Sequence, residues 1–289
     1  MRLKADLTLL FVALLWGFGF LAQSIAAGQV GALLFNSARW LLGALVMLPL
    51  VKFKLKVNRD NLPWMLVAGF VLFMGSGLQQ AGLEFTTVGN AGFITGVYVV
   101  LIPILLTLFW RERISKMIWA AAAATAVGVY LLSMGGPLQL NMGDLLMLLG
   151  AFMWALHVIV IGKAVKNVPV LDFVIGQNIF CGLLNLVSGL AFQSDTLPGL
   201  LPNWLPILYL SLISTAVGFT LQAYGQRHAP PADAAIILSM EAVFAALIGW
   251  IFLHEQLTLL QLLGCALILA AIIFSQVITI RQNKAVAAG

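Results

Sequence analysis

The chain is 289 residues long, 62% hydrophobic and only 9% charged, with a formal net charge of +5. Soluble domains carry about 45–50% apolar and about 25% charged residues, so fifteen Lys/Arg and ten Asp/Glu cannot coat a water-soluble body of this size. Soluble enzymes, nucleic-acid binders and disordered chains are excluded, and a β-barrel is disfavoured, because alternating strands would not lift mean hydropathy to +1.05. The expected fold class is an all-α integral membrane protein.

A spanning helix needs about 20 mostly apolar residues. Ten segments qualify in chain order: 7–27, 32–51, 62–82, 90–110, 117–134, 145–162, 173–192, 204–223, 231–253 and 259–279. Arg2 and Lys4 ahead of the first run imitate a signal peptide, but that run is long enough to span and many others follow, so it reads as an uncleaved first helix. Placing both termini in the cytoplasm and alternating sides tests the count. One side then receives Arg2, Lys4, Lys52, Lys54, Lys56, Arg59, Arg111, Arg113, Lys116, Lys163, Lys166, Arg227, Arg281 and Lys284. The other receives no basic residue, only Glu84, Asp144, Asp195 and Glu255. A missed or invented helix would mix the two sets. The remaining base, Arg39, falls inside the second span.

The chain also matches itself. At an offset of 138, Asp6 meets Asp144, Trp16 meets Trp154 and Phe35 meets Phe173. After five extra residues in the 193–203 loop the offset becomes 143, where Pro63 meets Pro206, Gln79 meets Gln222, Asn90 meets Asp233 and Glu112 meets Glu255. Apolar matches are cheap in such a sequence, but ordered matches at Trp, Pro, Gln and Glu are not. The expected organisation is therefore two five-helix repeats, 1–139 and 140–289, of inverted topology because five is odd. Inverted repeats are an architecture of secondary transporters, with the substrate near the midplane at the repeat interface. Gln79 and Gln222 would then fall near opposite faces, where a gate could form on each side.

Two stretches carry a family resemblance. Trp16-Gly17 looks like the opening of an EamA-type module, and Ser239-Met240-Glu241-Ala242-Val243-Phe244, continued by Gly249-Trp250-Ile251-Phe252-Leu253-His254-Glu255-Gln256-Leu257-Thr258 and Gly264, resembles its close. Over essentially its whole length the sequence resembles ten-helix members of the drug/metabolite transporter (DMT) superfamily. The first half departs from the pattern, with Leu101-Ile102-Pro103 followed by Trp110-Arg111-Glu112-Arg113. The resemblance implies a multi-pass carrier of the bacterial inner membrane, often an exporter of amino acids or other small metabolites. It also implies that the third, fourth, eighth and ninth helices, with parts of the first and sixth, line a central cavity.

The candidate substrate-binding residues are Trp16, Arg39, Gln79, Tyr98, Trp154, Gln222 and Glu241. Glu241 lies in mid-span, where an ionisable group costs about 2.5–3.5 kcal/mol on insertion scales and faces a cavity or a partner. It reads either as a proton-coupling or cation-binding carboxylate, or as one half of a permanent pair with Arg39. Arg39 itself could hold a substrate carboxylate, snorkel toward the outer interface, or anchor packing. Trp16, Trp154 and Tyr98 sit at similar depth and could enclose an apolar group or a cation, or pack against neighbouring helices. Gln79, Gln80, Asn90, Thr95, Gln222 and Ser239 offer neutral donors and acceptors that also glue helices together. His157 is a second candidate coupling group, weighed against an ordinary hydrogen-bonded histidine.

These residues point to a secondary transporter working by alternating access, with a small-molecule substrate, the lipid bilayer as its medium and protons as the candidate coupling ion. The chain is expected to act as a monomer, without nucleic acid, cofactor or metal. One carboxylate opposed by one Arg suits a zwitterion, and a hydrophobic cation is the closest rival. An integral membrane enzyme is the alternative of a different class, but no metal, nucleophile or paired-carboxylate motif supports it.

Overall fold

A computed structural model describes residues 2–133, 141–254 and 256–288. Among these, eight helices are long and apolar enough to cross a membrane: α1 (Arg2–Ala26), α2 (Ala32–Val51), α3 (Leu62–Gly82), α4 (Val88–Trp110), α6 (Met142–Ala164), α7 (Val170–Phe192), α8 (Trp204–Gln226) and α9 (Pro231–Phe252). Two further helices, α5 (Lys116–Ser133) and α10 (Leu259–Ala288), carry shorter apolar stretches, Lys116–Leu131 and Leu259–Ser275. Each matches an expected span to within a few residues at most ends. The chief departures are α1, which starts at Arg2 where an Arg2–Asp6 pair supports its first turn, and α10, whose backbone continues through a polar tail to Ala288. Glu255, expected as the repeat partner of Glu112, lies outside the described residues.

Local chemistry sets the helix ends. α6 begins with a capping box in which Asn141 and Asp144 satisfy each other's backbone N–H groups. Thr87 accepts from the Asn90 N–H at the start of α4, and α9 opens on Pro231, which has no N–H to leave unpaired. α4 and α9 both end in a left-handed residue, Arg111 at φ 53° and His254 at φ 55°, whose N–H turns back to Leu106 O and Gly249 O respectively.

Large apolar side chains such as Phe11, Leu45, Phe70, Leu108, Val187 and Ile273 face outward, while Arg39, Gln79, Gln80, His157, Gln177, Gln222 and Glu241 are buried. A polar interior inside an apolar shell is the arrangement that a lipid solvent favours, and the chain is a multi-pass membrane protein. The main packing pairs are α5 with α10, α2 with α7, α3 with α6 and α7, α1 with α8 and α9, α2 with α8, and α4 with α6 and α9. Adding five to each helix number, and continuing from ten back to one, carries this set onto itself: α2–α7, α4–α9 and α5–α10 are unchanged and the other six pairs exchange two by two.

Three helices depart from regularity near the centre. α4 tightens at Val97, where the Val100 N–H bonds to Val97 O at 3.1 Å, and α9 tightens at Ser239, where the Ala242 N–H bonds to Ser239 O at 3.1 Å. α8 widens to a π-helical stretch over Leu210–Phe219. Such deviations from the i→i−4 ladder are characteristic of functional segments.

Candidate functional site

α1 presents Trp16, Gly19, Phe20 and Gln23 on one face, a spacing of i, i+3, i+4 and i+7. Facing them across a central cavity are Arg39 of α2, Gln79 of α3, Thr95 and Tyr98 of α4, Trp154 and Val158 of α6, Ser214, Phe219 and Gln222 of α8, and Glu241 of α9. The free space is about 40 Å³, enough for a few water molecules and less than a metabolite needs. The helices bordering it are those the resemblance implied, with α2 added through Arg39.

All seven expected binding residues line this one cavity. Arg39 is 3% exposed, so it does not snorkel to the interface. Its Nε donates to Thr215 Oγ1 at 3.2 Å, an Nη donates to Gln23 Oε1 at 3.3 Å, and the guanidinium lies 4.6 Å from the Trp40 ring centroid. Among the described residues it has no carboxylate within 4.0 Å, so the permanent Arg39–Glu241 pair is not formed. The cavity thus holds one cationic and one anionic side chain, each without an opposite charge in contact.

Glu241 approaches Tyr98, its counterpart at offset 143. Both follow directly on the tightened turns of their helices. Neither Tyr98 Oη nor Glu241 Oε1 has a partner of ordinary hydrogen-bond geometry, and the same holds for Trp154 Nε1 and Gln222 Oε1. Buried polar atoms are paired in the great majority of cases; the Tyr98 hydroxyl and the Glu241 carboxylate face each other, so the demand left unmet is for an acceptor at Trp154 Nε1 and a donor at Gln222 Oε1. Gln79 and Gln222, expected near opposite faces, both line this single space. Gln79 also ties α3 to α4 by donating to Thr95 Oγ1 at 3.2 Å.

The apolar wall is centred on Phe219, whose ring lies 5.0 Å from Trp16, 5.1 Å from Trp40 and 6.2 Å from Trp154. His157 packs against the same wall, 5.6 Å from Phe219 and 5.9 Å from Trp154. The structure does not bring it to the cavity: it lies one layer behind, with Nε2 3.1 Å from Gln177 Oε1. Sequence reasoning passed over Gln23 and Phe219. The α1 spacing from Trp16 was a usable signal for Gln23, whereas nothing distinguishes Phe219 from other phenylalanines.

Away from the cavity, a polar contact joins helices at each end of the bundle. At the basic end Arg2 reaches Asp6 at 2.8 Å and Asp233 of α9 at 3.2 Å. At the opposite end Asn90 of α4 donates to Asp144 Oδ1 of α6 at 2.9 Å and to Thr86 Oγ1 at 2.8 Å.

The sequence profile of the EamA-like transporter family matches this chain twice, over residues 3–134 and 141–276. An uncharacterized transporter of Archaeoglobus fulgidus is 34% identical over 280 residues, covering 94% of this chain and 85% of its own. YoaV, an uncharacterized transporter of Bacillus subtilis, is 24% identical over 298 residues, covering 97% and 99%. YedA, an uncharacterized inner membrane transporter of Escherichia coli K12, is 24% identical over 267 residues, covering 90% and 86%. A solved crystal structure shares the fold with a TM-score of 0.80 at 19% identity, over 96% of this chain and 97% of that one.

Proposed function

Because the chain belongs to the EamA-like transporter family and is a membrane transporter, we propose that it is a ten-span secondary carrier exporting amino acids or similar small zwitterions across the bacterial inner membrane. The observation that carries this reading is the central cavity, where Arg39 and Glu241 have no opposite charge in contact and two further buried polar atoms, Trp154 Nε1 and Gln222 Oε1, lack partners. A zwitterion supplies a carboxylate for Arg39 and an ammonium for Glu241, and its side chain finds the wall of Trp16, Trp154 and Phe219. Charge-assisted hydrogen bonds of this kind are stronger than neutral ones, so each charged partner orients the substrate as well as holding it.

Alternating access follows from two inverted five-helix repeats, 1–139 and 140–289. The doubled profile match and the helix pairings that survive a shift of five support that division. The tightened turns at Val97 and Ser239 are suited to act as hinges beside Tyr98 and Glu241, because a short 3₁₀ segment in a helix often marks a hinge. The Arg2 and Asn90 contacts then serve as the two gates, opened one at a time. Protons are the proposed coupling ion, with Glu241 as the group that exchanges them.

Counterflow in proteoliposomes tests the reading. Vesicles loaded with unlabelled amino acids should accumulate labelled ones, and Arg39→Gln should reduce that accumulation by roughly tenfold or more, the worth of one charged hydrogen bond. Glu241→Gln should weaken exchange by a similar factor, because the ammonium loses its charged partner, and the exchange that remains should no longer respond to a pH gradient. A second reading, export of hydrophobic cations, is favoured by the aromatic wall beside Glu241. Undiminished transport by Arg39→Gln, together with uptake of a quaternary ammonium dye, would select it and sink the zwitterion reading.

A further inference from the structure

At the basic end of the bundle a second cavity, of about 350 Å³, opens between the α2–α3 link, the start of α7 and the end of α8. Lys54, Lys56 and Arg227 line it together with Tyr224, Leu171 and one carboxylate, Asp172. Asp172 is already engaged, since its Oδ1 accepts the Lys56 backbone N–H at 3.0 Å and ties the link to α7. Arg227 is fixed by its Nε, which donates to Val165 O at 3.0 Å. Among the described residues none of the three cations forms an ion pair. Three bases and one acid therefore leave the cavity with two surplus positive charges.

The surroundings are those of a membrane interface. Leu50 is 64% exposed and Phe53 is 70% exposed, and Val46 of α2 with Val217 and Tyr224 of α8 are also exposed. Val217 and Tyr224 are seven residues apart on α8, so they share one face of that helix. Exposed apolar residues on α2 and α8 thus flank a cationic cavity at the end of the bundle. A soluble anion would use only the charges. An amphiphile with an anionic head would use both the cavity and the apolar face below it.

We propose that this cavity is a binding site for the phosphate headgroup of an anionic phospholipid, whose acyl chains lie along the α2–α8 face. Basic pockets between membrane helices recognise such headgroups, each Lys or Arg near the surface contributing about a fivefold gain in affinity. The site is distinct from the central cavity and does not depend on the nature of the transported solute.

Native mass spectrometry of the detergent-purified full chain tests the site. With equimolar phosphatidylglycerol and phosphatidylcholine in the micelles, the wild type should retain the anionic lipid in about tenfold excess. Lys54→Gln/Lys56→Gln/Arg227→Gln should erase that excess. Lys4→Gln/Arg113→Gln/Lys166→Gln, which removes the same charge from the same end, should keep it. The single change Arg227→Gln, followed by size-exclusion chromatography, covers the case in which the triple variant does not fold, and should lower the excess several-fold. Equal retention of the two lipids by the wild type would overturn the proposal. So would an equal loss in the control variant, which would reveal a diffuse positive field. Competition by sodium phosphate against sodium chloride of equal ionic strength separates the two sources of the phosphate group. Unchanged lipid retention is expected, and full displacement by free phosphate would mean a soluble-anion site instead.

Discussion

Residues paired by the sequence offsets sit in closely similar packing in the two halves, yet their polar bonds differ. Gly82 at the end of α3 lies against Gly143 and Met147 of α6, and Gly225 at the end of α8 lies against Ala5 and Leu9 of α1. Offsets of 138 and 143 convert one set into the other. Close to these contacts the polar groups diverge. The α1–α9 end is bridged by a guanidinium between two carboxylates, and the α4–α6 end by an amide on one carboxylate. The apolar frame is shared by both ends, and the polar bonds laid across it differ in charge and number.

The largest expected effect breaks the charged end. Arg2→Gln strands Asp6 and Asp233 without their cation, and a hydrogen bond to a charged group contributes roughly 1.5–3 kcal/mol. Backbone hydrogen exchange in the first turns of α1 and α9 should accelerate about tenfold or more, read by mass spectrometry. Asn90→Ala removes a smaller bond, so exchange in the first turns of α4 and α6 should rise only about fivefold. Equal acceleration in the two variants would mean that the ends are held by packing alone, and the distinction between them would fall.

A smaller effect separates the two tryptophans. Trp16 and Trp154 are repeat partners, and each lies over a glycine of the opposite half, Gly218 and Gly75, where a Cβ would come within 2.8 Å and 3.5 Å of the indole. Trp16 Nε1 donates to Ser214 O at 3.2 Å, a carbonyl inside the π-helical stretch of α8. α3 has no such stretch, and Trp154 Nε1 is left without a partner. Trp16→Phe should therefore lower the unfolding temperature by about 2–4 °C, the value of one hydrogen bond in a chain of this size. Trp154→Phe should leave that temperature unchanged and raise the KM for transport, since its N–H is free for substrate. The reverse pattern in thermal unfolding and counterflow would assign the structural role to Trp154.

How much of this was legible in the sequence depends on energetic cost. Glu241, Arg39 and the paired Gln79 and Gln222 stand out because a polar group inside an apolar run must have a reason to be there, and all of them line the cavity. Asp6 and Asp144 were visible as repeat markers, but only the folded chain shows that each meets a polar partner near the end of the bundle. The breaks at Val97 and Ser239 and the wide turn in α8 left no trace in composition, because they are small backbone adjustments within sequences that favour helix. Phe219 was illegible because one apolar side chain among many costs nothing to place.

The smallest expected effect concerns the positions where the halves differ most. Arg39 on α2 pairs at offset 138 with Gln177 on α7. The first reaches the central cavity, whereas the second turns to His157, which is fully buried behind Trp154 and Phe219. His157→Gln retains a group able to bond Gln177 and leaves every cavity-lining side chain in place, at the cost of a ring contact behind Trp154 and Phe219. Counterflow should therefore persist, and the response to a pH gradient with it. Loss of that response with exchange intact would make His157 the coupling group in place of Glu241.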